Sequence, residues 1–246
     1  MSVEVFREQR SRDVGLAAVA VAPFLAVAVA LALMATNRDR YNWLIREDGP
    51  VEWMTIAIYV VAAAAAAYTT RRLWSAGAGA LVPLYALFSL GLLVIAGEEA
   101  SWGQRQIGFD TPQAVREVNT KGEFNFHNAS GFPVHLAFIL VSLYGTLGRP
   151  LIGPFLARVG PVWRDLLTVP PVLAGYFAIP AALYIYFELG GYLVTPPPGA
   201  TWYDLLASGF ITGKEQEPIE LLLACGFLLF AAGGAWLARD LRKRPR

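Results

Sequence analysis

Residues 14–35, VGLAAVAVAPFLAVAVALALMA, hold no charged side chain and lie between Asp13 and the polar pair Asn37 and Arg38. At about 1.5 Å of rise per residue, a helix of that run covers the roughly 30 Å of a bilayer's hydrocarbon core. The uncharged stretch is longer than the roughly 7 to 15 apolar residues of a cleaved secretory signal, so it is expected to remain as a first membrane span. Five further stretches approach the same length: 51–70, 78–97, 131–147, 168–187 and 218–238. Runs such as 60–67, VVAAAAAA, lack the alternation of a transmembrane β-strand and suit a helix, which satisfies its own backbone. The expected fold is all-α, a polytopic bundle of about six transmembrane helices with no separate soluble domain and a polar motif loop at 98–130.

Composition agrees with a lipid solvent. Of 246 residues, 56% are hydrophobic and only 16% charged, against about 25% charged in ordinary soluble domains. A net charge of +1 leaves no basic surplus for nucleic acid. The single cysteine, Cys225, lies in an apolar run, which excludes an intrachain disulfide and reads as core packing. Pro23, Pro83 and Pro180 fall inside expected spans and predict kinks. Residues 153–161 and 195–199 read as rigid connectors.

Orientation follows from the loops. The N-terminal segment, the second and fourth loops and the C-terminal tail carry 13 of the 20 Lys and Arg residues, and the other three loops carry 7. The positive-inside rule then places both termini in the cytoplasm of a cell with a cytoplasmic (inner) membrane. Acidic residues divide the other way, 14 of 19 lying in or beside the outer loops. That bias has little topological weight and marks the outer face as the functional one. Tyr41, Trp43, Trp53, Trp102, Tyr192, Trp202 and Tyr203 fall near outer boundaries, and Trp74, Trp163 and Trp236 near inner ones, as an aromatic belt would place them.

The densest polar segment joins the third and fourth spans: Glu98-Glu99-Ala100-Ser101-Trp102-Gly103-Gln104-Arg105, then Gly122-Glu123-Phe124-Asn125-Phe126-His127-Asn128. If the third helix runs on, Glu98, Ser101, Trp102 and Arg105 share one face. Glu98 and Glu99 stand at a helix C-terminus, where the macrodipole disfavours carboxylates, so something else must hold them. Arg105 is the plain partner; raised pKa values or a bound cation are the functional alternatives. His127 is the better candidate base or ligand. His135, about 12 Å farther along a helix, is too distant to share a metal with it and reads as a packing residue.

A short internal similarity relates Glu47-Asp48-Gly49-Pro50-Val51-Glu52 to Glu215-Gln216-Glu217-Pro218-Ile219-Glu220. Both place proline in a first helical turn with a carboxylate just inside it, which is favoured helix-start chemistry. They also bring Glu52 and Glu220 to the depth of Glu98, Glu99 and Glu188. Residues 112–119 predict a short interfacial helix.

The run Glu-Glu-Ala-Ser-Trp-Gly-Gln-Arg at 98–105, with Asn-Phe-His-Asn at 125–128, resembles a family of uncharacterised bacterial multi-pass membrane proteins carrying Glu-Glu-x-Ser-Trp-Gly-Gln-Arg. The resemblance covers most of the chain and implies no particular activity. A serine-hydrolase pairing of Ser101 with His127 lacks the Gly-x-Ser-x context.

The leading expectation is an outward-facing acidic and histidine site in a membrane enzyme acting on a lipid or lipid-linked substrate. Glu98, Glu99, Arg105 and His127 are its expected acid/base or binding groups, supported by Glu52, Ser101, Gln104, Asn125, Asn128 and Glu220. Membrane lipid is the expected partner. A proton- or cation-linked transporter and a non-catalytic assembly subunit are the alternatives. Transport is weakened because the inner halves of the six spans hold no charge. A divalent cation on Glu98, Glu99 and His127 is less favoured than proton-sharing carboxylates, since no recognised ligand spacing is present.

Overall fold

A computed structural model describes residues 3–131, 133–193, 216–239 and 241, with side chains from residue 13 onward and, in the second stretch, up to 186. Connector 195–199, Trp202 and Tyr203, and the side chains of Glu188 and Tyr192, lie outside the described residues. The described chain is an all-α helix bundle. Five of its helices are long and apolar enough to cross a membrane, or six if a bent pair forms one span. The chain divides into two compact units, one of residues 1–43 and 139–223, the other of residues 44–138 and 224–246.

In the first unit, α1 (Val3–Thr36) runs through Pro23 without a break. Only 6% of its apolar window is buried in the protein, and Val14, Val21, Phe24 and Val29 are exposed. Apolar surface on every side of a helix is stable in lipid and not in water. The short α2 (Arg38–Ile45) follows it. A later helix, α5 (Val134–Val159), which lies mostly in this unit, contains Pro150 and Pro154, so the expected connector at 153–161 is helical as far as Val159. The fifth expected span is also revised. A short helix at Pro161–Leu167 and a 3-10 turn at Pro171–Leu173 precede a helix at Gly175–Leu193, and the two parts meet at 75°. Pro170 and Pro171 remove backbone donors there and break the helix. The Gly175 helix packs on α1, and a Cβ on Gly175 would lie 2.9 Å from Pro23 Cγ. Gly145 of α5 lies directly under the Phe177 ring, where a Cβ would run into the ring.

In the second unit, α3 (Pro50–Ser75) and α4 (Leu81–Glu99) form a hairpin, closed by the Ser89 hydroxyl donating to the Ala63 carbonyl at 2.9 Å. Ala62, Ala63 and Ala66 are buried in the seam, where small side chains let two membrane helices approach. Pro83 stands in the first turn of α4, where its missing N–H would have no partner in any case, so the expected kink does not arise there. The final helix, Glu217–Arg239, supplies Phe227 and Phe230 to an aromatic cluster with Tyr59 and Phe88. Arg72 Nη2 donates to the Arg239 carbonyl at 2.7 Å.

Candidate functional site

α3 opens as its sequence dictates. Gly49 caps it, Pro50 takes the first turn, and a Glu52 carboxylate oxygen accepts the Asp48 N–H at 2.6 Å. Yet Glu52 is buried, at 5% exposure, and a carboxylate buried so deeply needs more than one backbone N–H. Arg105 answers that need.

α4 does not run on to Arg105. It ends at Glu99, and Ser101, Trp102 and Gly103 take left-handed φ values of 45°, 53° and 78°. The expected helical stripe of Glu98, Ser101, Trp102 and Arg105 is therefore replaced by a reversal, followed by one turn of helix at Gln104–Ile107. Two non-glycine residues in this region cost of order 1 kcal/mol or more each, and their side-chain bonds offset it. The Ser101 hydroxyl donates to Glu123 Oε2 at 3.1 Å and accepts from Asn125 Nδ2 at 3.0 Å. Trp102 Nε1 donates to Glu98 Oε1 at 2.7 Å. The indole lies against Gly97, where a Cβ would come within 2.9 Å of the ring.

The reversal points the Arg105 guanidinium at three carboxylates. Nη2 donates to Glu52, Nη1 donates to Glu123 Oε1 at 3.0 Å, and Nε lies 3.1 Å from Asp48 Oδ1. Burial opposes the charge on Arg105, but Glu52, Glu123 and Asp48 outweigh it and raise its pKa. From Glu99 it takes the backbone carbonyl, at 3.4 Å. The expected pairing of Arg105 with the Glu98–Glu99 carboxylates is thus replaced by a cage of Asp48, Glu52 and Glu123, in which three anions surround one cation.

Loop 111–130 folds around Asn119. Its Nδ2 donates to the Asn125 carbonyl and side-chain oxygens at 2.8 and 2.9 Å, while its Oδ1 accepts the Lys121 and Glu123 N–H groups. An antiparallel bridge joins Asn119 to Ala129. Gln104 ties the loop to the short helix, donating to Thr111 Oγ1 and accepting the Phe124 N–H at 2.6 Å. The expected interfacial helix at 112–119 is one turn, Gln113–Arg116. Asn125 and Asn128 both donate to Glu123 Oε2, at 2.7 and 3.3 Å.

Glu98 finds the support its position at a helix C-terminus demands. Besides the Trp102 indole, its Oε2 accepts the Phe126 and His127 N–H groups at 2.6 and 2.9 Å. The His127 ring folds back so that Nδ1 stands 3.6 Å from the same oxygen, without a hydrogen bond to it. Burial lowers the His127 pKa below its ordinary value of 6.5, against the opposing pull of Glu98. The imidazole is therefore biased toward neutral.

No family model, curated protein or solved structure matches the chain. Its site therefore rests on its own geometry. Of the residues singled out in the sequence, Glu52, Glu98, Glu99, Ser101, Gln104, Arg105, Asn125, His127 and Asn128 join one hydrogen-bonded cluster of the second unit. Glu220 belongs to the first unit, where it is buried and accepts from the Tyr184 hydroxyl at 3.3 Å. Among the described residues no three His, Cys, Asp or Glu side chains gather as metal ligands, so Glu98, Glu99 and His127 do not form the conditional metal set. Sequence reading passed over Asp48, Glu123 and Asn119 as site residues. The first two stood inside the quoted motifs, whereas Asn119 carried no signal beyond preceding a turn at Gly122.

Proposed function

We propose that this chain is a membrane-embedded enzyme that acts on a lipid or lipid-linked substrate, with Glu98 and His127 as its acid/base pair. The observation that carries this reading is a carboxylate fixed by three N–H donors beside a neutral-biased imidazole. Glu98 faces Nδ1, so a hydrogen bond closing between them on substrate binding would keep the proton on Nδ1 and leave Nε2 as the basic atom. Hydrogen bonds of catalytic pairs are often long before substrate binds, which suits the 3.6 Å separation. The pair lies in a loop between two helices able to cross a membrane, so it meets substrates at the membrane boundary. The split of Lys and Arg residues favours the outer face of a bacterial cytoplasmic membrane, with both termini inside. Arg105 serves as scaffold, because Glu123 and Glu52 accept from its Nη1 and Nη2 and Asp48 adds a third carboxylate 3.1 Å from Nε.

The test compares purified wild type with His127→Gln and Glu98→Gln on a total lipid extract, followed by mass spectrometry of the lipids. Wild type is expected to convert at least one lipid class, and both variants to lose at least tenfold of that rate while retaining their melting temperature to within a few degrees. A wild-type lipid profile indistinguishable from that of His127→Gln would sink the enzymatic reading. The Arg105 cage favours a second reading, a non-catalytic assembly subunit whose cluster only fixes the loop, and that reading predicts this null result.

A further inference from the structure

From residue 139 to residue 186 the only charged side chains are Arg149, Arg158, Arg164 and Asp165, three cations and one anion within seventeen positions. Arg149 lies in the C-terminal half of α5, Arg158 in its last turn, and Arg164 and Asp165 in the short helix that follows. Asp165 Oδ1 accepts from both Arg149 Nη2 and Arg164 Nε, each at 2.9 Å. The two arginine stems converge over Gly153, where a Cβ would stand at ordinary contact distance, 3.4 Å from Arg149 Cγ and 3.6 Å from Arg164 Cγ. One carboxylate oxygen thus holds two guanidiniums side by side, and each keeps donors beyond the one it gives to Asp165.

The pair carries a surplus positive charge while its side chains are only 24% and 37% exposed. Arg158, in the last turn of α5, is exposed and adds to the surplus. A guanidinium surplus beside an apolar, lipid-facing surface attracts a counter-anion. The surrounding helix leaves Leu147, Leu151 and Phe155 exposed, at 44%, 72% and 64%, as a lipid-facing surface does. At such a boundary the abundant anion is the phosphodiester of a phospholipid, whose paired oxygens match guanidinium donors.

We propose that Arg149 and Arg164, held together by Asp165, bind the headgroup phosphate of an anionic membrane phospholipid. The site uses residues of the first unit only and does not depend on the Glu98–His127 reading.

The experiment titrates the full chain, purified in neutral detergent, with phosphatidylglycerol, phosphatidylcholine or inorganic phosphate and reads the melting temperature. Phosphatidylglycerol is expected to raise it, and the other two to have little effect at equal concentration. Arg149→Gln and Arg164→Gln should each need about fivefold more phosphatidylglycerol for half-maximal stabilisation, the weight of one arginine at an anionic surface. Asp165→Asn should need less, because it enlarges the surplus. A purely structural role predicts instead that Arg164→Gln and Asp165→Asn lower the melting temperature equally with and without lipid. That outcome, or equal stabilisation by phosphatidylcholine or by free phosphate, would overturn the assignment.

Discussion

Arg105 is the side chain on which most of the cluster depends, because removing it leaves Glu52 and Glu123 largely buried with their shared cation gone. Breaking such a pair from one side costs about 3 to 5 kcal/mol. Arg105→Gln should therefore lower the denaturation midpoint of the purified protein by an amount near the lower end of that range, since Asp48 is half exposed and can relax into solvent. Arg105→Lys should recover only part of the loss, a point charge being unable to meet three carboxylates at once. His127 makes a prediction of the opposite kind. Its folded pKa lies below the ordinary 6.5, so the unfolded chain binds the proton more readily. Its contribution to stability is fully present above about pH 6.5 and is lost as pH falls from there through the folded value. Melting curves from pH 7.5 to 5 should show a decline that His127→Gln flattens, and an unchanged slope in the variant would assign the decline to other groups.

The elements tell which local signals hold and which yield to packing. The Pro50 helix start is set by chemistry within four residues of chain, and it forms as the sequence predicts. The end of α4 is different: nothing in Glu98-Glu99-Ala100-Ser101-Trp102 opposes another helical turn, and the helix stops because Ser101, Trp102 and Gly97 meet partners from loop 111–130 and from the helix itself. Gly97→Ala should therefore act on the loop, displacing the indole from a Cβ 2.9 Å away and weakening the Trp102–Glu98 bond. Faster proteolysis or greater cysteine accessibility within 104–130, with little change in α3–α4, is the expected result. In the first unit, Gly145→Ala would force a methyl into the Phe177 ring. Overpacking of that kind typically costs about 1 to 3 kcal/mol, and Gly145→Ala combined with Phe177→Leu should recover part of it.

For the chain as a whole, membrane insertion follows from the apolar exposure of its helices, whereas orientation rests on the uneven loop charges. On a Cys225→Ala background, a single cysteine at Gln113 should react with a membrane-impermeant reagent in intact cells, and one at Ala76 only after permeabilisation. The reverse pattern would move the Glu98–His127 pair to the cytoplasmic side and exclude an outer-face substrate.

What the sequence determined by itself was the solvent, the helical class and the start of α3. Each depends on local composition: uncharged runs matched to bilayer thickness, or a proline and carboxylate in one turn. It also identified most of the site residues, because charged and amide side chains between membrane spans are conspicuous. Only tertiary structure decided their partners. Arg105 reaches Glu52, 53 positions away in the chain, and Glu123, 18 away, by way of a left-handed turn that no local preference favours. The 75° break between the two parts of the fifth expected span, by contrast, has a local cause in Pro170 and Pro171. Hydrophobicity fixes which segments enter the membrane, but it cannot choose among partners of equal charge; that choice follows from long-range contacts that exist only in the folded chain.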